Sequence, residues 1–76
     1  MRVISKERLQ ALRERFKPGT RVELLKMDDV QASPIGTKGT VIGVDDIGSI
    51  MVHWDNGSGL SVAYGEDECK VVADHD

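Results

Sequence analysis

The sequence predicts a mainly β protein, a small five-stranded antiparallel barrel preceded by one α-helix. Three observations carry this reading. Residues 5–16 repeat apolar side chains at helical spacing, whereas from residue 20 onward the apolar positions alternate. Five short runs of the second kind follow one another, with tight turns after a long first loop, a pattern of antiparallel pairing. Inward valines and a glycine kink in the second run favour closure into a barrel. The expected organisation is an amphipathic helix over 1–18, a barrel over 19–73 and a flexible tail over 74–76.

The helix comes first. In SKERLQALRERF, Ser5 is a good N-cap, because its hydroxyl accepts one of the orphan N–H groups of the first turn. Ile4 and Leu9 have the spacing of a hydrophobic staple, and Pro18 and Gly19 stop the helix. At 100° per residue, Leu9, Leu12 and Phe16 form a narrow apolar seam. Lys6 and Arg13 flank it on one side, Arg8 and Arg15 on the other. Such a seam suits docking on an acidic body with an apolar patch, within one chain or across a homodimer.

The strands follow in order. Residues 20–27 put Val22 and Leu24 on one face, and 28–37 form a long polar loop. In 38–46 the alternation slips between Val41 and Val44, and a bulge at Gly43 would let both valines face inward. Residues 48–55 place Ile50, Val52 and Trp54 on one face and Met51, His53 and Asp55 on the other. Residues 60–64 align Leu60, Val62 and Tyr64, and 69–72 make a short last strand. The Asp55-Asn56-Gly57 run is a hairpin corner, since Asn and Gly tolerate positive φ.

Size and charge bound the function. A chain of 76 residues holds one domain. It buries only about 60% of its unfolded surface, which leaves room for a surface site rather than a deep cavity. No stretch approaches the roughly 20 apolar residues of a membrane span, and residues 1–17 lack the apolar segment of a signal peptide. Cys69 is alone, so neither an internal disulfide nor a multi-cysteine zinc site is expected. A cytoplasmic location is the expectation. The net charge of −3 hides a division. Residues 1–26 carry eight cations against three acids, and 27–76 carry two cations against ten acids. The two parts attract each other, and the acidic part would repel phosphates.

The order of these parts, with Gly39-Thr40-Val41, Gly48 and the V-x-W-D of Val52–Asp55, resembles the SH3-like barrels. More closely, RVELLKMDD, PIGTKGTVIGVDDIGSIMVHWDNG and YGEDE resemble an uncharacterised domain-of-unknown-function family of small proteins, common in Firmicutes and their mobile elements. The resemblance covers residues 19–72 and implies a barrel of this class but no activity. The helix lies outside it.

The candidate sites are weighed against plain structural roles. Trp54 alternates in step with Val52 and Ile50, which favours the interior, although an indole in a small core often keeps an exposed edge. The acidic groups at 28–29, 45–46 and 66–68 lack the fixed ligand offsets of a calcium loop. His53 has no second ordered His or Cys beside it. Ser49, Ser58 and Ser61 show no His-Asp partnership, and Cys69 fits a core strand. No enzymatic role, no cofactor and no metal are expected. Proline-peptide binding needs an aromatic stripe that three scattered aromatics do not supply.

The expected function is therefore a non-enzymatic adaptor that binds another, unidentified protein. Its contacts would come from the long loop and the hairpin corners: Met27, Asp28, Asp29, Pro34, Ile35, Asp46, His53 and Trp54. One alternative is nucleic-acid binding through Arg8, Arg13 and Arg15 of the helix. Another, implied only by the company that the resembling family keeps, is a phage or mobile-element inhibitor that captures a host protein or small nucleotide.

Overall fold

A computed structural model describes residues 3–72 of the chain. The tail expected over 74–76 lies outside the described residues. Helix α1 runs Lys6–Arg15, followed by strands β1 (Arg21–Lys26), β2 (Lys38–Val44), β3 (Ile50–Trp54) and β4 (Glu68–Val71). The strands form one antiparallel sheet in the order β3-β2-β1-β4.

The helix begins as the capping chemistry dictates. Ser5 is extended, and its Oγ accepts the Arg8 N–H at 3.2 Å. The helix ends at Phe16, whose N–H still reaches the Leu12 carbonyl at 2.7 Å. No residue inside α1 is itself buried. The helix is held by Phe16, which is buried in the core just past its end, and by Leu12, which packs against that core half-exposed. Its basic shoulder meets an acidic turn, as the charge division anticipates. Arg13 Nη2 donates to Asp46 Oδ1 at 2.8 Å, and Arg13 Nε donates to the Val44 carbonyl at 3.4 Å. In this structure the helix thus packs on its own sheet. The ion pair is exposed and worth about 0–1 kcal/mol, so the apolar contacts carry most of the attachment.

The core is Phe16, Val22, Leu24, Val41, Ile50, Val52, Trp54 and Val62, with Leu12, Met27, Val44 and Cys69 packed around it. The pairing of β2 with β3 slips between Val41 and Gly43. The irregularity expected at Gly43 is present, and it turns both Val41 and Val44 toward the core. At the start of β1, Arg21 grips the corner after β3 through two bonds to Asp55, at 2.8 and 2.6 Å. A third bond, at 2.9 Å, goes to Thr40 Oγ1. The guanidinium hydrogen bond is the main cause that holds the Asp55 carboxyl below its usual value of 3.8.

Among the described residues the sheet has four strands, not the five expected, and a closed barrel is not shown. Residues 60–64, expected as the fourth of five strands, contribute one isolated bridge, in which Val62 and Ile50 exchange N–H···O bonds of 2.9 Å. Side chains and turns take main-chain groups of Leu60 and Ala63. The Trp54 indole N–H donates to the Leu60 carbonyl at 2.8 Å. The Ala63 N–H donates to Asp67 Oδ2 at 2.9 Å, while the Ala63 carbonyl accepts from Glu66 and Asp67 N–H. A carboxylate four residues on thus competes with the ladder and wins. The sheet stays open, with β3 and β4 at its two ends.

Two outcomes test this account. Leu12→Asp should lower the denaturant stability by about 1–3 kcal/mol, as expected for losing a packed apolar side chain, whereas Arg8→Ala should change it little. Chemical denaturation followed by Trp54 fluorescence reads both. The second concerns the Arg21–Asp55 pair. A carboxyl with a lowered folded pKa contributes stability that is fully present above its unfolded value, and it loses that stability as the pH falls through the folded value. An Asp55→Asn variant should therefore be less stable than wild type at neutral pH. The gap should close as the pH drops below 3.8.

Candidate binding surface

The residues expected to form one site occupy two ends of the sheet. At one end, the 27–37 loop meets the corner after β3. Ser33 is buried there, and it exchanges hydrogen bonds with Asn56: Nδ2 donates to Ser33 Oγ at 3.1 Å, and that hydroxyl donates to Asn56 Oδ1 at 3.3 Å. Asn56 Oδ1 also accepts the Ser58 N–H, and Asp29 Oδ1 accepts the Gln31 N–H at 2.7 Å. The loop is thus braced by its own polar side chains. Asp28, Asp29, Pro34 and Ile35 are exposed on it, while Met27 is half-buried against the core. Val30, fully exposed at the loop tip, was not anticipated. His53 is exposed on β3, opposite Thr40.

Two of the expected contacts belong elsewhere. Trp54 has 0% of its surface exposed and is a core residue with no edge for a partner. Its alternation with Ile50 and Val52 is the signal that decides, and the expectation of an exposed edge is corrected. Asp46 lies in the turn at the far end of β2, about 20 Å of strand away from the loop. There it pairs with Arg13, so that Arg13 is also committed within the chain. Arg8 and Arg15 remain exposed on α1, with the Arg15 guanidinium 5.7 Å from the Phe16 ring centre.

The turn that holds Asp46 borders a concavity. It is an open groove of about 440 Å³ between the segment preceding α1, the 45–49 turn and residues 63–66. Val3, Ile4, Ile47 and Tyr64 supply apolar surface, and Asp46 and Glu66 stand at its edge. No residue of the 27–37 loop lines it. Val3 and Ile47 are 89% and 67% exposed. The turn owes its shape to Asp45, whose Oδ1 accepts the Ile47 and Ser49 N–H groups at 3.2 and 2.8 Å. Gly48 follows with φ +85, a conformation that suits glycine. A Cβ at Gly48 would stand 2.9 Å from Ile4 Cδ1, so the bare glycine lets the N-terminal segment lie against the turn.

Sequence reasoning missed this groove, although one signal was there. Ile47 is a bulky aliphatic in the middle of a tight turn, beside Asp45 and Asp46, where no core position calls for it. Tyr64 was assigned to the face of Val62. The turn that starts at Ala63 breaks that alternation and leaves its ring half-buried at the groove wall.

Cys69 packs against the core. Burial raises its thiol to about 11, and the nearby Arg15 charge only partly opposes this. Among the described residues, no group of three or more His, Cys, Asp or Glu side chains could hold a metal ion. Among the same residues, no helix is long and apolar enough to cross a membrane.

No curated protein matches the chain. Residues 5–72 match the family described as Domain of unknown function (DUF4314), a span that takes in α1 as well as all four strands. A match of this extent shows that the chain belongs to the DUF4314 family.

Proposed function

We propose that this chain is a non-enzymatic binding module of the cytoplasm that docks a segment of another protein in the groove beside the 45–49 turn. The observation that supports the reading is the pairing of exposed aliphatic surface with acids in one concavity. Val3 and Ile47 offer apolar area to solvent, which a small domain otherwise covers, and Asp46 and Glu66 stand beside them. The complementary partner segment carries an aliphatic or aromatic anchor flanked by lysine or arginine. The anchor enters between Ile47 and Tyr64, and the cations meet the acidic rim. The reading moves the contact surface from the 27–37 loop to the opposite end of β2, and it keeps Asp46 from the expected set. It also retains the SH3-like architecture that the sequence resembles. The Ile50–Val62 bridge supports this, because it lays a fifth segment along β3.

The test is a peptide array probed with the full chain. Peptides with an apolar anchor between cations should bind, and peptides with the same anchor between acids should not. Burial of one aliphatic side chain is worth about 1.5–3 kcal/mol, so Ile47→Ser should weaken binding by about 10–100-fold. Because Ile47 is exposed, its unfolding curve should be unchanged. Equal binding by Ile47→Ser, or no preference between cationic and acidic flanks, would refute the proposal.

A further inference from the structure

The two ends of the sheet are finished differently. The outer side of β3 is occupied, since Ile50 and Val62 exchange N–H···O bonds of 2.9 Å and the Trp54 N–H donates to the Ser58 carbonyl at 2.9 Å. Among the described residues, β4 has a strand beside it on one side only, β1. Val71 stands opposite Val22 and Lys70 opposite Glu23, and the Val72 N–H donates to the Arg21 carbonyl at 2.9 Å. Bonded and non-bonded pairs alternate along an antiparallel ladder. The main-chain groups of Val72 and Lys70 therefore turn toward β1, and those of Cys69 and Val71 turn outward. An open edge of this kind is a template for a further strand.

The side chains of β4 carry a charge pattern. Glu68 and Lys70 are exposed, and each stands opposite a residue of the other sign on β1, Lys26 across from Glu68 and Glu23 across from Lys70. Cys69, between them, points to the other face, where it packs against the core. Charges on an edge strand discourage unselective pairing. Here the order acid, thiol, base is also its own complement when the strand is reversed.

We propose that β4 pairs antiparallel with β4 of a second copy of this chain, about a two-fold axis at Cys69. The Cys69 N–H and carbonyl of each copy bond to those of the other. Glu68 of each copy stands opposite Lys70 of the other, so the alternation of sign that runs across β1 and β4 continues through the seam. The outward groups leave few other symmetric registers. An axis at Lys70 sets two lysines against each other, and an axis at Val71 brings Lys70 opposite Val72 and pairs no charges. Unlike charges directly opposite stabilise a strand pair and like charges destabilise it, so the Cys69 register is selected. A strand of an unrelated protein carries this charge order only by chance, whereas a second copy always carries it. The contact joins two four-stranded sheets into one. Because it is short, the dimer dissociates on dilution.

The experiment is sedimentation velocity of the full chain from micromolar to millimolar concentration, with amide hydrogen exchange at both extremes. The wild-type chain should pass from monomer to dimer. The Cys69 and Val71 amides should gain protection at the high concentration, while the Lys70 amide, already turned to β1, changes little. Raising the salt should weaken the dimer. Glu68→Lys and Lys70→Glu should each weaken self-association by about tenfold or more. An equimolar mixture of the two should associate again, because the cationic edge of one meets the acidic edge of the other. Trp54 emission checks that each variant keeps its fold, and the wild-type exchange pattern carries the test where a variant does not. The proposal is overturned if the chain stays monomeric at millimolar concentration, which would leave the edge to water or to a strand of another protein. It is equally overturned if the Cys69 and Val71 amides gain no protection, if either folded variant associates as tightly as wild type, or if mixing the two folded variants does not restore association.

Discussion

Trp54 lies directly on the backbone of β2, and the rest of the structure depends on this contact. A Cβ at Gly39 would stand 2.8 Å from Trp54 Cε3, 2.6 Å from Val52 Cγ1 and 2.9 Å from the His53 carbonyl oxygen. Real side chains do not approach this closely, so only a glycine at position 39 permits β2 and β3 to pack as they do. The indole fills the space and is the largest fully buried side chain. Among the described residues the core has eight buried apolar side chains, and that one ring supplies a large share of the burial. Its N–H also takes the Leu60 carbonyl, so the same residue fixes where the chain runs after the corner. Beyond it Val62 bridges Ile50, and the Asp67 carboxylate sets the turn at Ala63 that places Tyr64.

Electrostatics then sets the edges of this packed unit. The cationic first third of the chain meets the acidic remainder at two places, Arg13 on Asp46 and Arg21 on Asp55. The first holds α1 to the β2–β3 turn, and the second holds the start of β1 to the corner after β3. Neither is buried, so each adds modestly, and their role is to choose an orientation for elements that apolar contacts already bring together. Arg8 and Arg15 stay exposed on α1 with no carboxylate partner among the described residues, while the Asp46 that holds Arg13 borders the groove together with Glu66.

Much of this was legible in the residues. The helix cap, the helix stop, the seam of Leu12 and Phe16, four of the strands and the slip at Gly43 all rest on local periodicity or turn chemistry, which a single sequence carries. The fifth strand was not legible. Its alternation over Leu60, Val62 and Tyr64 is real, but the Asp67 carboxylate removes the Ala63 N–H from any ladder, and periodicity holds no record of that bond. The groove beside the 45–49 turn was not legible for a similar reason. Asp46 and Pro34 look equivalent as loop residues, yet the seven residues of Lys38–Val44 separate them in space. The meaning of Ile47 depends on Val3, Ile4 and Tyr64, which only the folded chain brings near it.

The close contact at Gly39 is the feature to measure. Trp54 is the single tryptophan, so its fluorescence reports this site alone. A Gly39→Ala variant unfolded in denaturant should be less stable than wild type by about 1–3 kcal/mol, the usual cost of overpacking a filled core. Its native emission should shift as the indole is pushed from its place. A variant within about 0.5 kcal/mol of wild type, the range of an ordinary surface substitution, and with the same emission, would contradict the account, because the core would then not rest on the passage of Trp54 over the β2 backbone.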